Sequence, residues 1–414
     1  MNYSHQSKVT LLNTLLAPYV GAFSDHFTRG NYASITVDDY YRCFARFAHW
    51  VKQSSLNIHD INEELIEQFL NKLFPGDSSK QKVCHSRHIF HAALGHILVV
   101  LRANEVIPSA SIKTTPVDKE LQYFNDHMNQ VRGLATKTRS HYLCIVRRLL
   151  IDQFSDQSIV ISKIKPEDVR QFINRQKILF SSPGSISHVI SALRGYFRFR
   201  ITCGDQVNHL IGVACYPANW QLSSLPKALN NTEVHSLLKA IDHDGSSTLR
   251  MKAIVHCALD LGLRSCEVAN LKLDDIDWHS ATITLRKTKS RRVDTMPLPE
   301  AMGRALADYL RFERPQIANN RSVFIRTVAP QDRVIGPDLV RKTIRQAYAL
   351  AELPYTRSHL LRHTMASRLL EGGSSLKEVA DVLRHRSLNT TLIYTKLDSK
   401  NLVDVALPWP GSEL

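Results

Sequence analysis

Residues 358–394 read SHLLRHTMASRLLEGGSSLKEVADVLRHRSLNTTLIY, and this stretch decides the fold of the C-terminal half of the chain. Its apolar residues recur every three or four positions and predict a helix over 360–370, with Ser358 as its cap and a glycine pair at its end. On that helix His359 and Arg362 share one face, because residues three apart are neighbours. The apolar side chains point elsewhere, into a core.

A second helix and a tyrosine complete this stretch. Ser375 and Glu378 have the spacing of a capping box, which predicts a helix that starts here and runs through Leu383. His385 follows where this helix should end, and Tyr394 comes nine residues later, beyond the start of one more helix. The stretch therefore offers an arginine, histidines and a phenol on neighbouring elements.

Upstream, a second arginine follows a glycine that ends a helix. The mostly apolar run 251–261 predicts a buried helix that stops near Gly262, and Arg264 comes directly afterwards. We interpret Glu267 as structural, either pairing with a basic neighbour or capping the short helix that follows. Farther upstream, Thr232 is the predicted cap of the helix that opens this region.

A basic turn lies between the two arginines. Residues 282–285 alternate in polarity like a strand, and residues 293–298 can return as the second strand of a hairpin. The turn holds five basic residues, Arg286, Lys287, Lys289, Arg291 and Arg292. We predict that four of them, Arg286, Lys287, Arg291 and Arg292, contact a nucleic-acid backbone, although such a turn alone could be a solvated loop or a nonspecific phosphate contact.

Composition narrows the partners and the compartment. The 414 residues include 53 Lys and Arg against 38 Asp and Glu, a formal charge of +15, which predicts a polyanionic partner, nucleic acid before a membrane surface. No apolar run approaches the ~20 residues of a membrane-spanning helix, and no signal-peptide pattern is present. The seven scattered cysteines contain no Cys-x-x-Cys pair, which favours reduced thiols over disulfides or structural zinc. We expect a cytoplasmic protein without a membrane segment.

The N-terminal half predicts helices in two similar groups about one hundred residues apart. Phe23-Ser-Asp-His26 recurs as Phe124-Asn-Asp-His127, and Ile61-Asn-Glu-Glu64 recurs as Ile164-Lys-Pro-Glu167. We interpret these as two tandem helical domains from a duplication, although amphipathic helices also resemble each other by chance.

The predicted fold class is mainly α, with tandem small helical DNA-binding domains before a mixed, mostly helical catalytic domain that contains a small antiparallel hairpin. The predicted division is an N-terminal domain (1–112), a second helical domain (113–222) and a catalytic domain (226–414), with a proline-containing linker before the last. The role of the first domain stays open among an arm-site DNA reader, a duplicated core-binding domain and a protein–protein module.

The two arginines and the tyrosine suit phosphodiester cleavage. This reaction builds negative charge on the non-bridging oxygens, which arginine's planar fork matches without losing its proton. Arg264 and Arg362 can therefore replace the clamp that metals provide elsewhere. The Tyr394 phenol, with an ordinary pKa of ~10, becomes a nucleophile beside such charge, and its attack gives a phosphotyrosyl link. A lysine on the turn can protonate the leaving oxygen, with Lys289 as the first candidate and Lys287 as the alternative.

Two histidines complete the predicted site. His359 is a candidate acid/base or phosphate donor, and His385 is a second phosphate donor. His359 and His363 also have the spacing of zinc ligands on a helix. No Glu follows His359 as in the zincin motif and no third ligand is evident, so we expect no metal and no other cofactor.

The chain resembles the tyrosine recombinases, the phage integrase family, in the order and spacing of five residues: Arg264, His359, Arg362, His385 and Tyr394. Lys289, eight residues before Pro297, stands where that family carries its hairpin lysine. The resemblance is strong over about 226–400 and looser over the second helical domain. The wording RHRSLxTTxxYxK suggests the transposon-borne branch of the family. One departure is Arg384, where many members have glycine; it can add a phosphate contact or cap the preceding helix.

The resemblance implies an integrase or recombinase that encloses double-stranded DNA in a C-shaped clamp. It implies a 3′-phosphotyrosine, a free 5′-hydroxyl, strand exchange without ATP, and a tetramer on synapsed DNA, with or without partner recombinases. The alternatives are a topoisomerase-like relaxer, a hairpin-forming resolvase, or a DNA-binding protein without catalysis. The intact residue set argues against the last of these, since binding needs only charge.

Overall fold

The computed structural model describes residues 11–74, 85–109, 115–155, 157–180, 182–218, 227–242, 248–286, 293–316, 320–331, 333–385 and 391. The chain divides into two compact units, Met1–Ser109 together with Ser224–Leu414, and Ala110–Ser223. Both are built mainly of helices, and the predicted fold class is confirmed.

Two groups of helices with the same order of elements form the N-terminal half. Each group runs helix, long helix, 3-10 turn, helix, long helix. The first consists of α1 (Val20–Arg29), α2 (Ser34–Gln53), the turn Ile58–Asp60, α3 (Glu63–Leu73) and α4 (His85–Ala103). The second consists of α5 (Pro116–Gln130), α6 (Thr136–Phe154), the turn Ile161–Lys163, α7 (Pro166–Leu179) and α8 (Pro183–Thr202), and the short α9 (Asn208–Val213) follows it.

Residues that recur in the sequence are buried alike in the two groups. Phe23 and Phe124 are both fully buried, and Ile61 and Ile164 are each 2% exposed. Each group closes its own hydrophobic core. Matching order and matching burial are what a duplication predicts.

The first group belongs to the same compact unit as the C-terminal region but keeps a separate core. The backbone N–H of Gln331 donates to the carbonyl of Gly30 at 3.3 Å within this unit. The predicted division into domains 1–112, 113–222 and 226–414 stays a prediction.

The C-terminal region surrounds one central helix, α11. Its helices are α10 (Asn231–Asp242), α11 (Leu249–Asp260), α12 (Ser265–Asn270), α13 (Glu300–Asp308), α14 (Pro337–Leu350), α15 (His359–Glu371) and α16 (Leu376–Val382). Helices α13, α14 and α15 all pack against α11, which is buried over most of its length, as the mostly apolar run 251–261 predicts. In the part of the chain that the structure describes, no helix combines the length and the apolar character needed to cross a membrane.

The predicted hairpin is confirmed as part of a three-stranded antiparallel sheet. Its strands are β1 (Ile276–Asp277), β2 (Thr282–Leu285) and β3 (Asp294–Pro297), in that spatial order. Thr282 lies opposite Pro297 and Leu285 opposite Asp294. Ile283 and Leu285 point into the core, which fixes the register because a one-residue slip would expose them.

Of three predicted helix caps, one is wrong, one holds the cap position without a side-chain bond, and one is confirmed. Helix α10 begins two residues earlier than a Thr232 cap predicts, and Asn230, not Thr232, accepts the bond from the Glu233 backbone at 2.8 Å. Ser358 makes no side-chain cap bond at α15. Ser375 and Glu378 form the predicted capping box at α16.

Candidate active site

Gly262 makes the turn that brings two arginines together. Helix α11 ends at Asp260, and Gly262 adopts φ +57°, a left-handed conformation that disfavours residues with a Cβ. A Cβ here would lie 3.1 Å from Leu383 Cδ2 and 3.5 Å from Arg362 Cγ. The missing side chain therefore lets Arg362 pack against the turn that leads to Arg264.

The two predicted catalytic arginines meet at one backbone carbonyl. Arg362 is 4% exposed and donates from its terminal nitrogens to the carbonyls of Gly262 and Leu383. Arg264, directly before α12, donates from Nη2 to the same Leu383 carbonyl at 3.5 Å. Main-chain acceptors thus hold two cationic side chains side by side.

Glu267 is the anion of this cluster, and its predicted structural role is confirmed. Its Oε2 accepts from the Arg264 backbone N–H at 2.9 Å, and its Oε1 accepts from Arg264 Nη1 at 2.8 Å. Burial alone would raise the pKa of this carboxyl, but the positive charges of Arg384 and Arg264 outweigh burial and lower it. The carboxylate therefore caps α12 and orients Arg264 at the same time.

Arg384 lies inside the protein, which contradicts its predicted contact with DNA. The residue is 2% exposed, and its Nη2 donates to Glu267 Oε2 at 2.9 Å. The physical reason is the buried Glu267 carboxylate, which needs cationic partners to stay charged. The other reading of Arg384, a cap for the preceding helix, agrees with the bond from its Nη1 to the Val382 carbonyl at 3.1 Å.

His385 follows α16 and lies among the arginines. Burial first, and then the charges of Arg362, Arg264 and Arg384, lower the pKa of His385 to about 4, so the ring is neutral at pH 7. Its Nδ1 lies 2.8 Å from Oγ1 of the buried Thr391. If the Thr391 hydroxyl donates to Nδ1, the ring proton sits on Nε2, where it can donate to a phosphate oxygen.

His359 and His363 stand one turn apart on α15, with ring centroids 6.5 Å apart. His359 is exposed at the start of the helix, whereas burial, helped by the charges of His359 and Arg362, lowers the pKa of His363 to about 4. Ser358, just before His359, has its hydroxyl 3.1 Å from that of Ser265, which joins the starts of α15 and α12. Over the described ranges, no group of three or more His, Cys, Asp or Glu side chains is placed to hold a metal ion.

Five predicted site residues lie outside the described residues: Lys287, Lys289, Arg291, Arg292 and Tyr394. Their roles stay predictions. Arg286 is described, and its Nε donates to Oδ1 of the buried Asp275 at 2.9 Å while its side chain is 59% exposed. A guanidinium that is anchored at one edge and open to solvent is compatible with the predicted DNA contact.

Sequence reasoning missed three contributors to this site. Thr391, six residues after His385, orients the imidazole. In the sequence, His363 shows only a zinc-like spacing from His359, and Gly262 shows only the end of a helix. Thr391 lies in the sequence between the histidine and the tyrosine, close enough to His385 for its hydroxyl to reach the ring. A hydroxyl bonded to one ring nitrogen fixes the tautomer of the imidazole.

The helical fold, the small sheet and the paired arginines define the class of the protein, and residues 227–401 match the phage integrase family. The integrase/recombinase y4rA of Sinorhizobium fredii is 32% identical over 401 residues, which cover 96% of this chain and 95% of that protein. The chain belongs to the phage integrase family of tyrosine recombinases, which are DNA strand-transferring enzymes.

More distant relatives agree with this assignment. The tyrosine recombinase XerC of Thermodesulfovibrio yellowstonii is 28% identical over 298 residues, 68% of this chain and 94% of that protein. The Tn1549 transposon integrase, solved in complex with transposon right end DNA, has a TM-score of 0.52 at 18% identity and covers 69% of this chain and 98% of its own. A lambda integrase dimer bound to a core site has a TM-score of 0.51 at 17% identity and covers 72% and 98%. At such identities the two structures show a shared fold.

Proposed function

We propose that this protein is a site-specific DNA recombinase that cuts and rejoins DNA through a 3′-phosphotyrosyl intermediate, without metal or ATP. The observation that carries the proposal is the meeting of Arg264 and Arg362 at the Leu383 carbonyl. Two guanidinium groups that share one carbonyl acceptor lie close enough together to bind the non-bridging oxygens of one phosphate. The proposal is also supported by the names of its relatives, integrase/recombinase and tyrosine recombinase.

The proposed reaction divides the chemistry among named groups. The Tyr394 oxygen attacks phosphorus and the bond to the 5′-oxygen breaks. His359 takes the phenol proton, and Lys289, or alternatively Lys287, gives a proton to the leaving 5′-oxygen. Neutral His385 donates to the phosphate from Nε2. Since the tyrosyl ester keeps the energy of the broken bond, the 5′-hydroxyl of another strand can reverse the step without ATP.

The proposed assembly places double-stranded DNA against the second helical domain (113–222) and the catalytic domain (226–414). We infer that the first domain (1–112) is a duplicated copy of the second, because their elements follow the same order. A tetramer on synapsed DNA, with or without partner recombinases, is the proposed active state. The proposed setting is the cytoplasm, and the proposed host is a mobile element, in keeping with the similarity to the Tn1549 transposon integrase.

A nicked trapping substrate tests the nucleophile. The wild-type chain should form a covalent adduct, and Tyr394→Phe should bind the same DNA without forming one. Tyr355→Phe is the matched control, because the Tyr355 hydroxyl donates to Glu233 at 2.8 Å and has no proposed role in the chemistry. An adduct with the Tyr394 variant would overturn the nucleophile assignment.

The same assay separates the remaining readings. Adduct formation should be unchanged in EDTA, and its loss there would contradict the metal-free scheme. Products that join two duplexes identify recombination, whereas relaxed circles alone identify a topoisomerase-like enzyme.

A further inference from the structure

Arg384 occupies a backbone conformation that is unusual for its residue type. Its φ is +54°, in the left-handed region that glycine adopts easily and that a Cβ makes costly. Strained positions of this kind persist only where surrounding contacts hold them. The contacts of the Arg384 side chain, which glycine could not make, can offset this cost.

The Arg384 side chain contacts a buried carboxylate that already has another arginine. Arg384 Nη2 and the Arg264 backbone N–H both reach Glu267 Oε2, each at 2.9 Å, while Arg264 Nη1 reaches Oε1 at 2.8 Å. The side chains of Arg384 and Glu267 are each 1% exposed, whereas that of Arg264 is 16% exposed. Glu267 thus bonds both the fully buried Arg384 and the partly exposed Arg264.

Charge balance gives this arrangement a consequence. A lone pair of Arg264 and Glu267 would have no net charge, and the carboxylate would draw the guanidinium away from any other anion. With Arg384 the three side chains have a net charge of +1. The attraction of Glu267 to each arginine is stronger inside the protein than it would be in water. The open end of the cluster, Arg264, then keeps positive charge for a phosphate.

Arg384 also contacts the sheet. Its Nη1 lies 2.9 Å from the Met296 sulfur on β3, the strand that follows the segment carrying Lys287 and Lys289. The next residue is His385, and Arg384 is one of the charges that keep His385 neutral. Arg384 therefore contacts Glu267 and Met296 and directly precedes His385 in the chain.

We propose that Arg384 is a positioning residue for DNA cleavage: it offsets the charge of Glu267 so that Arg264 can bind the scissile phosphate. This inference rests on the proposed function. It concerns an internal residue that does not touch the substrate.

The test is the single-turnover rate of adduct formation at saturating nicked DNA, with Arg384→Met, Arg384→Gly and Arg384→Lys. We expect Arg384→Met and Arg384→Gly to slow the step roughly tenfold to one-hundredfold, the range in which outer partners tune a ligand-binding group, while DNA affinity stays nearly constant. Arg384→Lys should restore most of the rate. Arg384→Gly relieves the backbone strain, so it keeps the test valid if the methionine variant does not fold.

Two controls distinguish positioning from general stability. Arg314→Met removes another buried arginine, which bonds only the backbone around residues 315–323 in the described contacts, and it should not slow cleavage by the folded protein. Glu267→Gln removes the charge that Arg384 offsets, so Arg384→Met should cost less rate in that background than alone.

Wild-type rates in both the methionine and glycine variants, or equal losses in Arg384→Met and Arg314→Met, would overturn the inference. So would fully additive effects of Arg384→Met and Glu267→Gln. Failure of the proposed function looks different, because the wild-type chain itself would then form no adduct.

Discussion

At the scale of single residues, Gly262 is the position where backbone shape and catalytic geometry meet. Its left-handed φ and its contact with Arg362 both depend on the absence of a Cβ. Gly133 has almost the same φ, +56° against +57°, but nothing lies within 4 Å of the place where its Cβ would be. The chain therefore contains its own control for separating strain from crowding.

We predict that Gly262→Ala lowers the free energy of unfolding by more than Gly133→Ala does. Strain alone should cost on the order of 1 kcal/mol in each variant, and Gly262→Ala adds a methyl group 3.1 Å from Leu383. Adduct formation should fall only in Gly262→Ala, because Arg362 is displaced. Urea unfolding and the nicked-substrate assay measure the two effects; equal destabilisation with unchanged cleavage would contradict the prediction.

Site residues were predictable from the sequence where a local motif carries them. Arg264, Arg362 and His385 follow helix-ending or helix-starting signals, and these three come together as expected. The burial of Arg384 was not predictable, because its partner Glu267 lies 117 residues away and only the folded chain joins them. The same holds for the Leu383 carbonyl, since a backbone acceptor leaves no trace in residue type.

At the scale of elements, helices α1 and α4 are joined by a pair of histidines. His26 Nε2 lies 3.0 Å from His96 Nδ1, so one ring donates a hydrogen bond to the other. The two rings therefore cannot be protonated at the same time. Burial first, and then the neighbouring His26, lower the pKa of His96 to about 4, and burial and Arg29 lower the pKa of His26. Arg29 and Arg333 line the adjoining cavity and add positive charge there.

We predict that the protein loses stability as the pH falls from about 6.5 towards 4. In this window the unfolded chain binds protons that the folded His96 does not, so the contribution of His96 to stability is present above the window and is lost as the pH falls through it. His96→Gln should reduce the pH dependence of the urea midpoint, although His363 and His385 contribute in the same direction. His88→Gln, at an exposed position on the same helix, is the control. A His96→Gln midpoint with the full wild-type pH dependence would rule out this pair as a source.

Element boundaries were predictable where the sequence offers one capping residue and not where two candidates lie close together. The capping box of Ser375 and Glu378 was visible in the sequence and is present. Residue type alone does not separate Asn230 from Thr232, two residues later, because both belong to the residues that commonly cap helices. The Thr232 hydroxyl instead donates to Asn230, which secures the earlier start.

At the scale of the whole molecule, the two predicted helical domains differ in charge. Residues 1–112 contain 10 basic and 9 acidic side chains, whereas residues 113–222 contain 15 and 8. The contrast appears in the equivalent helices: α7 has three exposed basic residues, Arg170, Arg175 and Lys177, and two acidic ones, while α3 has Lys72 and three glutamates. Phosphate contacts dominate affinity for DNA, so the second domain is the better candidate for that contact.

We predict that neutralising α7 with Arg170→Gln, Arg175→Gln and Lys177→Gln weakens DNA binding and flattens its dependence on salt. Each lost phosphate contact should lower the slope of log affinity against log salt by about 0.9. Lys72→Gln in α3 is the matched control and should leave both quantities unchanged. Mobility-shift titrations at several salt concentrations decide the matter; an equal effect of Lys72→Gln would mean that both copies bind DNA.

The anchoring of Arg264 and Arg362 on the Leu383 carbonyl has a bearing on how such a site tolerates divergence. Every amino acid presents the same carbonyl oxygen, so substitutions at position 383 that preserve the local helix end leave this acceptor in place. The positions of Arg264 and Arg362 therefore depend on the backbone and depend little on which side chains surround it. Substitutions around the pair can then accumulate without removing the acceptor that the two guanidinium groups share.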